Sequence, residues 1–75
     1  MQIKIKTLTG RVLQLNFEPE ETIAKVKEAL QEKEGIESSQ IKLIFSGKQL
    51  VDEATLAASG VTAGTTMHMI LALRG

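Results

Sequence analysis

Apolar residues recur along this chain with a spacing that changes twice, and this feature constrains the fold more than any other. Every second residue is apolar in residues 1–6, 13–17, 41–43 and 66–71, whereas the apolar positions in residues 23–30 are three or four residues apart. A period of two indicates a strand with one buried face, and steps of three and four indicate one face of a helix. The pattern therefore predicts two strands, a helix and then further strands.

Turn and capping residues separate these segments. Residues 7–10 end in a glycine and join the first two strands into a hairpin. Thr22 is a suitable N-cap for the helix, and Gly35 is a suitable left-handed stop after it. Ser-Gly at residues 46–47 forms a turn that leads into a short edge strand at residues 48–50. We therefore expect one helix between Thr22 and Gly35, with a hairpin on either side.

The order of these elements limits the possible folds. One helix and four or five strands can bury a common core only if the helix lies across one face of a single sheet. The first and last strands can then pair side by side in the middle. The sequence thus predicts an α+β roll of the β-grasp type with a mixed four- to five-stranded sheet. Charged helix residues, among them Lys25, Lys27 and Glu28, are expected on the solvent side of the helix.

Length and composition exclude several classes of protein. The 75 residues make one small domain, and 43% of them are hydrophobic, enough for a compact core. Nine basic and nine acidic residues cancel, which argues against binding to nucleic acid or an anionic membrane through net charge. The longest apolar run, Met69 to Leu73, is too short to cross a bilayer. We expect a soluble intracellular monomer.

Residues that could carry catalysis or hold a metal are few. The sequence has one histidine, His68, and no cysteine, so a metal site built from these ligands is not expected. Its six glycines form no phosphate-binding or dinucleotide-binding motif. An enzyme is the least supported class, and we expect no bound metal or cofactor.

Alternation along the strands predicts an exposed apolar patch. If Met67 and Met69 face the helix, the residues between and after them face solvent on the open side of the sheet. The same argument places the residue after Leu43 on that side, and a leucine projects from the first turn. The members of this set, which we call the sheet patch, are Leu8, Ile44, His68 and Ile70, with a rim of Lys6, Lys42 and Lys48. Such a patch suggests a binding surface, but a register shift of one residue would instead make these side chains part of the core.

Several stretches of the sequence together resemble ubiquitin and its nearest relatives, over the whole chain and without a gap. They are Met1-Gln2-Ile3, Lys6-Thr7-Leu8-Thr9-Gly10, Glu18-Pro19, Lys33-Glu34-Gly35-Ile36, Leu43-Ile44-Phe45, Gly47-Lys48-Gln49-Leu50 and Leu71-Ala72-Leu73-Arg74-Gly75. The resemblance implies the β-grasp fold, with a domain at residues 1–71 and a flexible conjugation tail at residues 72–75.

The resemblance also implies a function as substrate and label rather than catalyst. In this family an activating enzyme uses ATP and magnesium to adenylate the C-terminal carboxylate, and the acyl group then passes through enzyme cysteines to a target lysine. The tail residues that match are Leu71, Ala72, Leu73, Arg74 and Gly75. The family's mature form ends in two glycines, so we expect one further glycine after Gly75.

Position 72 favours one branch of the family. Ubiquitin has arginine there, whereas the Nedd-type (Rub) modifier has alanine, and in the family this side chain helps activating enzymes to reject the wrong modifier. Ala72 therefore favours a Nedd-type modifier. The resemblance implies the cytoplasm and nucleus as its location. Its expected partners are activating and conjugating enzymes, RING-type ligases, cullin targets and isopeptidases. The alternatives are ubiquitin or a divergent ubiquitin used as a general tag, a noncovalent binding module and a sulfur carrier.

Further site residues follow from the resemblance alone. The sheet patch matches the family's main recognition surface, and Ile36, Leu71 and Leu73, together with Leu8, match a second one. Gln40 matches a glutamine that bacterial deamidases attack in this family. The lysines that match possible chain acceptors are Lys6, Lys27, Lys33 and Lys48.

Overall fold

The computed structural model describes residues 1–72, which form one helix packed on a five-stranded sheet. The elements in chain order are β1 (Gln2–Lys6), β2 (Val12–Asn16), α1 (Ile23–Glu34), a 3-10 turn (Ser38–Gln40), β3 (Ile41–Phe45), β4 (Lys48–Gln49) and β5 (Thr66–Leu71). The strand order across the sheet is β2-β1-β5-β3-β4. β1 and β5 pair in parallel in the middle, and the other pairs are antiparallel. The predicted β-grasp fold is confirmed.

The core lies between the helix and one face of the sheet. Its largest fully buried side chains are Ile3, Ile5, Ile23, Val26, Leu30, Ile41, Leu43, Leu56 and Met67. All but Leu56 come from the helix and strand positions whose period predicted burial. Burial of this apolar surface is the main force that holds the helix against the sheet.

The free backbone hydrogen-bonding groups at the two ends of α1 find their partners in different ways. Thr22 has the extended backbone of an N-cap, but its side chain forms no capping hydrogen bond. The first helical amides are instead paired by a distant loop, because Ile23 N–H donates to the Ala54 carbonyl at 2.9 Å and Ala24 N–H to the Asp52 carbonyl at 3.1 Å. At the other end Gly35 adopts a φ of 71° and donates to Gln31 O, as its left-handed stop requires. The loop around Asp52 therefore forms part of the helix terminus.

Lys27 corrects the prediction for the solvent side of the helix. It is only 8% exposed, and its Nζ lies 2.5 Å from Asp52 Oδ1. Position 27 is one helical turn after the buried Ile23, so it lies on the edge of the core face. The loop that caps α1 covers this edge, and its carboxylate pairs the charge that burial would otherwise leave without a partner.

Within residues 1–72, the helices are too short and too polar to cross a membrane.

Candidate functional site

The strand register brings two members of the sheet patch, Ile44 and His68, into one row with Lys6. His68 of β5 lies opposite Ile44 of β3 on one side and opposite Lys6 of β1 on the other. Lys42 lies opposite Ile70 in the next row. Cross-strand partners have their side chains on the same face of a sheet, so these residues form a continuous surface over three neighbouring strands.

Burial decides which face of the sheet they occupy. Met67 and Met69 are buried against the core, and His68 between them is exposed. Ile44 and Ile70 are half-buried, as apolar residues on an open sheet face would be. The structure therefore excludes a register in which Ile44, His68 and Ile70 fill the core.

Leu8, the predicted member of the sheet patch outside the strands, lies in the turn after β1. Its side chain is 62% exposed, the largest value among the exposed large hydrophobic residues of the described chain. It follows Lys6 by two residues, and Ile70 follows His68 by two. Because Lys6 and His68 are partners in the parallel β1–β5 pair, this offset places Leu8 toward the Ile70 end of the surface.

The acidic residues of the chain lie outside the sheet strands. The five described strands contain four lysines and no aspartate or glutamate, since every acidic residue falls in a turn, a loop or the helix. The strand lysines are Lys4, Lys6, Lys42 and Lys48. Of the predicted rim, Lys6 and Lys42 lie on the face of the sheet patch, whereas Lys48 lies opposite Phe45 and not opposite Ile44. The positive charge beside the patch favours partners that combine apolar and acidic groups.

Val12 is a surface residue that the sequence analysis missed. It lies opposite Lys6 on β2, at the outer end of the row that contains His68 and Ile44, and it is 51% exposed. Alternation with the half-buried Leu13 was the signal that could have identified it. The open face of the sheet therefore has an apolar residue on its β2 edge as well as in its middle.

The root of the predicted conjugation tail is joined to another predicted site residue. β5 ends at Leu71, and Ala72 N–H then donates to the Gln40 carbonyl at 2.7 Å. Ala72 is half-buried, while Gln40 is exposed at the end of the 3-10 turn. Leu73, Arg74 and Gly75 lie outside the described residues. The structure therefore joins Ala72, the predicted selectivity position, to Gln40, the predicted deamidation position, through a backbone hydrogen bond, and the tail boundary at residue 72 stays a prediction.

The residues of the predicted second patch lie on different elements. Ile36 follows the end of α1, is half-buried and packs against the core. Leu71 is half-buried at the end of β5, opposite Ile41. The third member, Leu73, falls outside residues 1–72.

The four predicted acceptor lysines differ in the solvent exposure of their side chains. Lys6, Lys33 and Lys48 are exposed, whereas Lys27 is buried in its ion pair with Asp52. Acylation requires the amine to approach a thioester carbonyl, so Lys27 must first leave this pair by local opening of the 51–55 loop.

We therefore expect Lys27 to react slowest with an amine-specific acetylating reagent, at least about ten-fold slower than Lys33. Peptide mass spectrometry over a time course measures each rate. Asp52→Asn should accelerate labelling of Lys27, and Glu53→Gln, a change at the exposed neighbouring carboxylate, should not. Equal rates for Lys27 and Lys33 in the unmodified chain would show that the pair does not protect the amine.

Side chains that could hold a metal do not cluster in residues 1–72. No group of three or more histidine, cysteine, aspartate or glutamate residues there has a suitable arrangement. The features that the structure assembles there are an apolar patch on the open face of the sheet and a central strand, β5, that ends at Leu71.

Comparisons with known proteins agree with this architecture. A sequence model of the Ubiquitin family matches residues 3–74. Ubiquitin-like protein 1 of Schizosaccharomyces pombe is 43% identical over 75 residues, which cover 100% of this chain and 96% of that protein. Ubiquitin-like protein NEDD8 of Dictyostelium discoideum is 44% identical (100% and 97% covered), and NEDD8-like protein RUB1 of Saccharomyces cerevisiae is 41% identical (100% and 97% covered). The chain thus belongs to the ubiquitin family, as a ubiquitin-like modifier with NEDD8- and Rub-type relatives.

Proposed function

We propose that the chain is a covalent protein modifier of the Nedd type, attached through its C-terminal glycine to lysines of target proteins, chiefly cullins. The observation that carries this proposal is alanine at position 72 in a chain with full-length similarity to NEDD8- and Rub-type proteins. Ala72 is the first residue after β5, so it lies where an activating enzyme that holds the folded domain would meet the tail.

The proposed chemistry takes place at the carboxylate, with all catalytic groups on partner enzymes. The carboxylate attacks the α-phosphate of magnesium-bound ATP on the activating enzyme and pyrophosphate leaves. An enzyme thiolate displaces AMP to form a thioester, and a conjugating-enzyme thiolate takes the acyl group by exchange. A target lysine amine then displaces that thiolate to form the isopeptide bond, and isopeptidases hydrolyse this bond later.

The fold supports this role through the position of β5. β5 is hydrogen-bonded between β1 and β3, so the root of the tail is anchored in the middle of the sheet. His68 and Ile70 of the sheet patch belong to the same strand as that root. A partner that contacts the patch thereby holds the root of the tail at a fixed offset from its own reactive cysteine, which lowers the entropic cost of the transfer step.

The sheet patch is the proposed contact for these partners, and the lysine rim orients them. Half-buried aliphatic side chains surrounded by polar groups are typical of the centre of an interface. Ile36, Leu71 and Leu73 are proposed as a second contact, and the exposed Lys6, Lys33 and Lys48 as acceptors for any chains. The cytoplasm and nucleus are the proposed compartments, since the proposed partner enzymes belong there.

Thioester formation tests the proposal directly. The chain extended by one glycine after Gly75 is incubated with a Nedd-type activating enzyme, ATP and magnesium. We expect an enzyme adduct that needs ATP and disappears on treatment with dithiothreitol, measured by intact mass and by gel shift. The chain ending at Gly75 serves as the matched comparison and should charge far less efficiently.

Two results would contradict the proposal. The absence of any ATP-dependent, thiol-sensitive adduct would exclude a Nedd-type modifier and favour a noncovalent module. A C-terminal thiocarboxylate on the protein isolated from its own cells would instead identify a sulfur carrier.

A further inference from the structure

The outer strand β2 has backbone groups that the sheet does not use. β2 is the last strand on its side of the sheet. Met1 and Phe17 exchange backbone hydrogen bonds at 2.7 and 2.9 Å, and Thr7 N–H donates to Arg11 O at 2.8 Å. Because hydrogen-bonded pairs alternate along an antiparallel ladder, the odd-numbered residues of β2 point toward β1. The N–H and C=O groups of Val12, Gln14 and Asn16 therefore point away from the sheet.

This edge lacks the usual protection against strand addition. Native edge strands are commonly blocked by charged residues, proline or a bulge. The sequence of β2 is VLQLN, which contains no charge and no proline, and it pairs with β1 residue by residue over its full length. Its exposed Val12 favours a further extended chain beside it.

A groove runs next to this edge on the helix side. It has a volume of about 250 Å³ and lies between α1 and Phe17, the residue that follows β2. Phe17 and the half-buried Ala29 supply apolar surface, and both belong to or pack against the core. The charged residues that line the groove are Glu21, Lys25, Glu28 and Glu32, so carboxylates outnumber ammonium groups by three to one.

We propose that the β2 edge and this groove bind an extended peptide segment of another protein in which basic and apolar residues face the helix. Such a strand lies about 4.8 Å from β2 and can form about six backbone hydrogen bonds with Val12, Gln14 and Asn16. Its alternate side chains lie over the groove. An apolar residue there contacts Phe17 and Ala29, and arginine or lysine pairs with the carboxylates.

Charge favours this occupant over a second copy of the chain. Pairing two β2 edges about a two-fold axis would bring two α1 helices together on the same side of the joined sheet. The acidic groove residues, Glu28 and Glu32 among them, would then face their own copies, and like charges at an interface oppose association. A basic peptide meets the same carboxylates with favourable sign.

The inference is independent of conjugation, because the surface lies on the opposite edge of the sheet from β4 and does not include the sheet patch or the tail. Failure of one proposal therefore leaves the other intact.

Peptide titration tests the inference. The probe is an end-blocked seven-residue peptide, Val-Arg-Val-Leu-Val-Arg-Val, which places arginine, leucine and arginine on one side of a strand. The acidic control peptide has glutamate in place of both arginines. A third peptide keeps the side chains of the first but carries N-methyl groups on the amides that would pair with β2. Amide chemical shifts of the ¹⁵N-labelled chain are followed at low salt.

We expect the basic peptide to shift the amides of residues 12–17 and of Glu21, Glu28 and Glu32, with an affinity that falls as salt rises. The acidic and N-methylated peptides should bind at least about ten-fold more weakly, because one loses the charge match and the other the backbone pairing. These comparisons use an unchanged protein, so they do not depend on the folding of any variant.

Charge reversal on the protein gives the second readout. Glu28→Lys with Glu32→Lys should weaken binding of the basic peptide about ten-fold, while Glu37→Lys with Glu53→Lys, an equal change in net charge at exposed positions elsewhere, should have less than about a two-fold effect. Equal effects of the two pairs, equal binding of the basic and acidic peptides, or shifts centred on the sheet patch would overturn the inference. Concentration-dependent shifts of β2 without peptide would assign the edge to a second copy and overturn it as well.

Discussion

Replacing Ala72 by arginine is expected to move charging of the chain from a Nedd-type activating enzyme toward the ubiquitin-activating enzyme. The change puts a guanidinium where the Nedd-type enzyme is expected to meet a methyl group. An unpaired cation in a mismatched pocket costs about 3 kcal/mol, which corresponds to about a 150-fold loss in kcat/KM. Thioester formation with each enzyme, on chains that end in two glycines, measures the preference.

Ala63→Arg is the matched control for this prediction. It adds the same side chain at an exposed loop position outside the sheet patch and the tail root. Its charging by both enzymes should stay within about two-fold of the parent chain, as is usual for surface substitutions. If Ala72→Arg leaves the preference unchanged, position 72 is not the selectivity position and the assignment to the Nedd-type branch loses its basis. A parent chain that already prefers the ubiquitin-activating enzyme would favour the ubiquitin alternative.

Replacing Ile44 by alanine is expected to weaken the binding of every partner that uses the sheet patch. Ile44 lies next to His68 in the row that Lys6 completes on the other side, and truncation of such a side chain at an interface costs about 2 kcal/mol or more. Hydrolysis of a fluorogenic C-terminal amide of the chain by a Nedd-type isopeptidase should lose about 30-fold in kcat/KM. The loss should appear mainly in KM if the contact acts by binding.

Val12→Ala is the control that distinguishes the loss of a sheet-patch contact from a general loss of exposed apolar surface. Val12 is also an exposed aliphatic residue on the open sheet face, but it lies on β2, two strands away from β5. The kcat/KM for isopeptidase hydrolysis of this variant should stay within about two-fold of the value for the parent chain. Chemical unfolding of both variants checks that they stay folded, because Ile44 is half-buried. Equal losses for the two variants would mean that hydrolysis does not depend on the sheet patch in particular.

The sequence predicted the elements well because their signals are local. The change from a period of two to steps of three and four located β1, β2, α1 and β5, and Gly35 marked the end of the helix. Alternation around Met67 and Met69 also placed His68 on the open face. A side chain on a strand must alternate between faces, so the choice of the core face for one residue decides it for its neighbours.

The sequence failed where a contact joins distant parts of the chain. Lys27 fits the polar pattern of the helix, and its burial depends on a carboxylate 25 residues away. The helix amides at Ile23 and Ala24 are capped from that same loop, although Thr22 has the side chain of an N-cap. A pattern of residue types contains no information on which loop will cover a helix end.

The sequence by itself determined the strands, the helix and the spacing of their apolar residues, because period and turn residues act within a few positions of each other. The tertiary structure then decided which of the two registers holds, the one that leaves Ile44, His68 and Ile70 on the open face. Only the tertiary structure decided that Gln40 holds the root of the tail, that Lys27 is paired and withdrawn, and that an uncharged β2 edge lies beside an acidic groove. These features arise where separate elements meet, and their meeting is set by how the whole core packs rather than by any one segment.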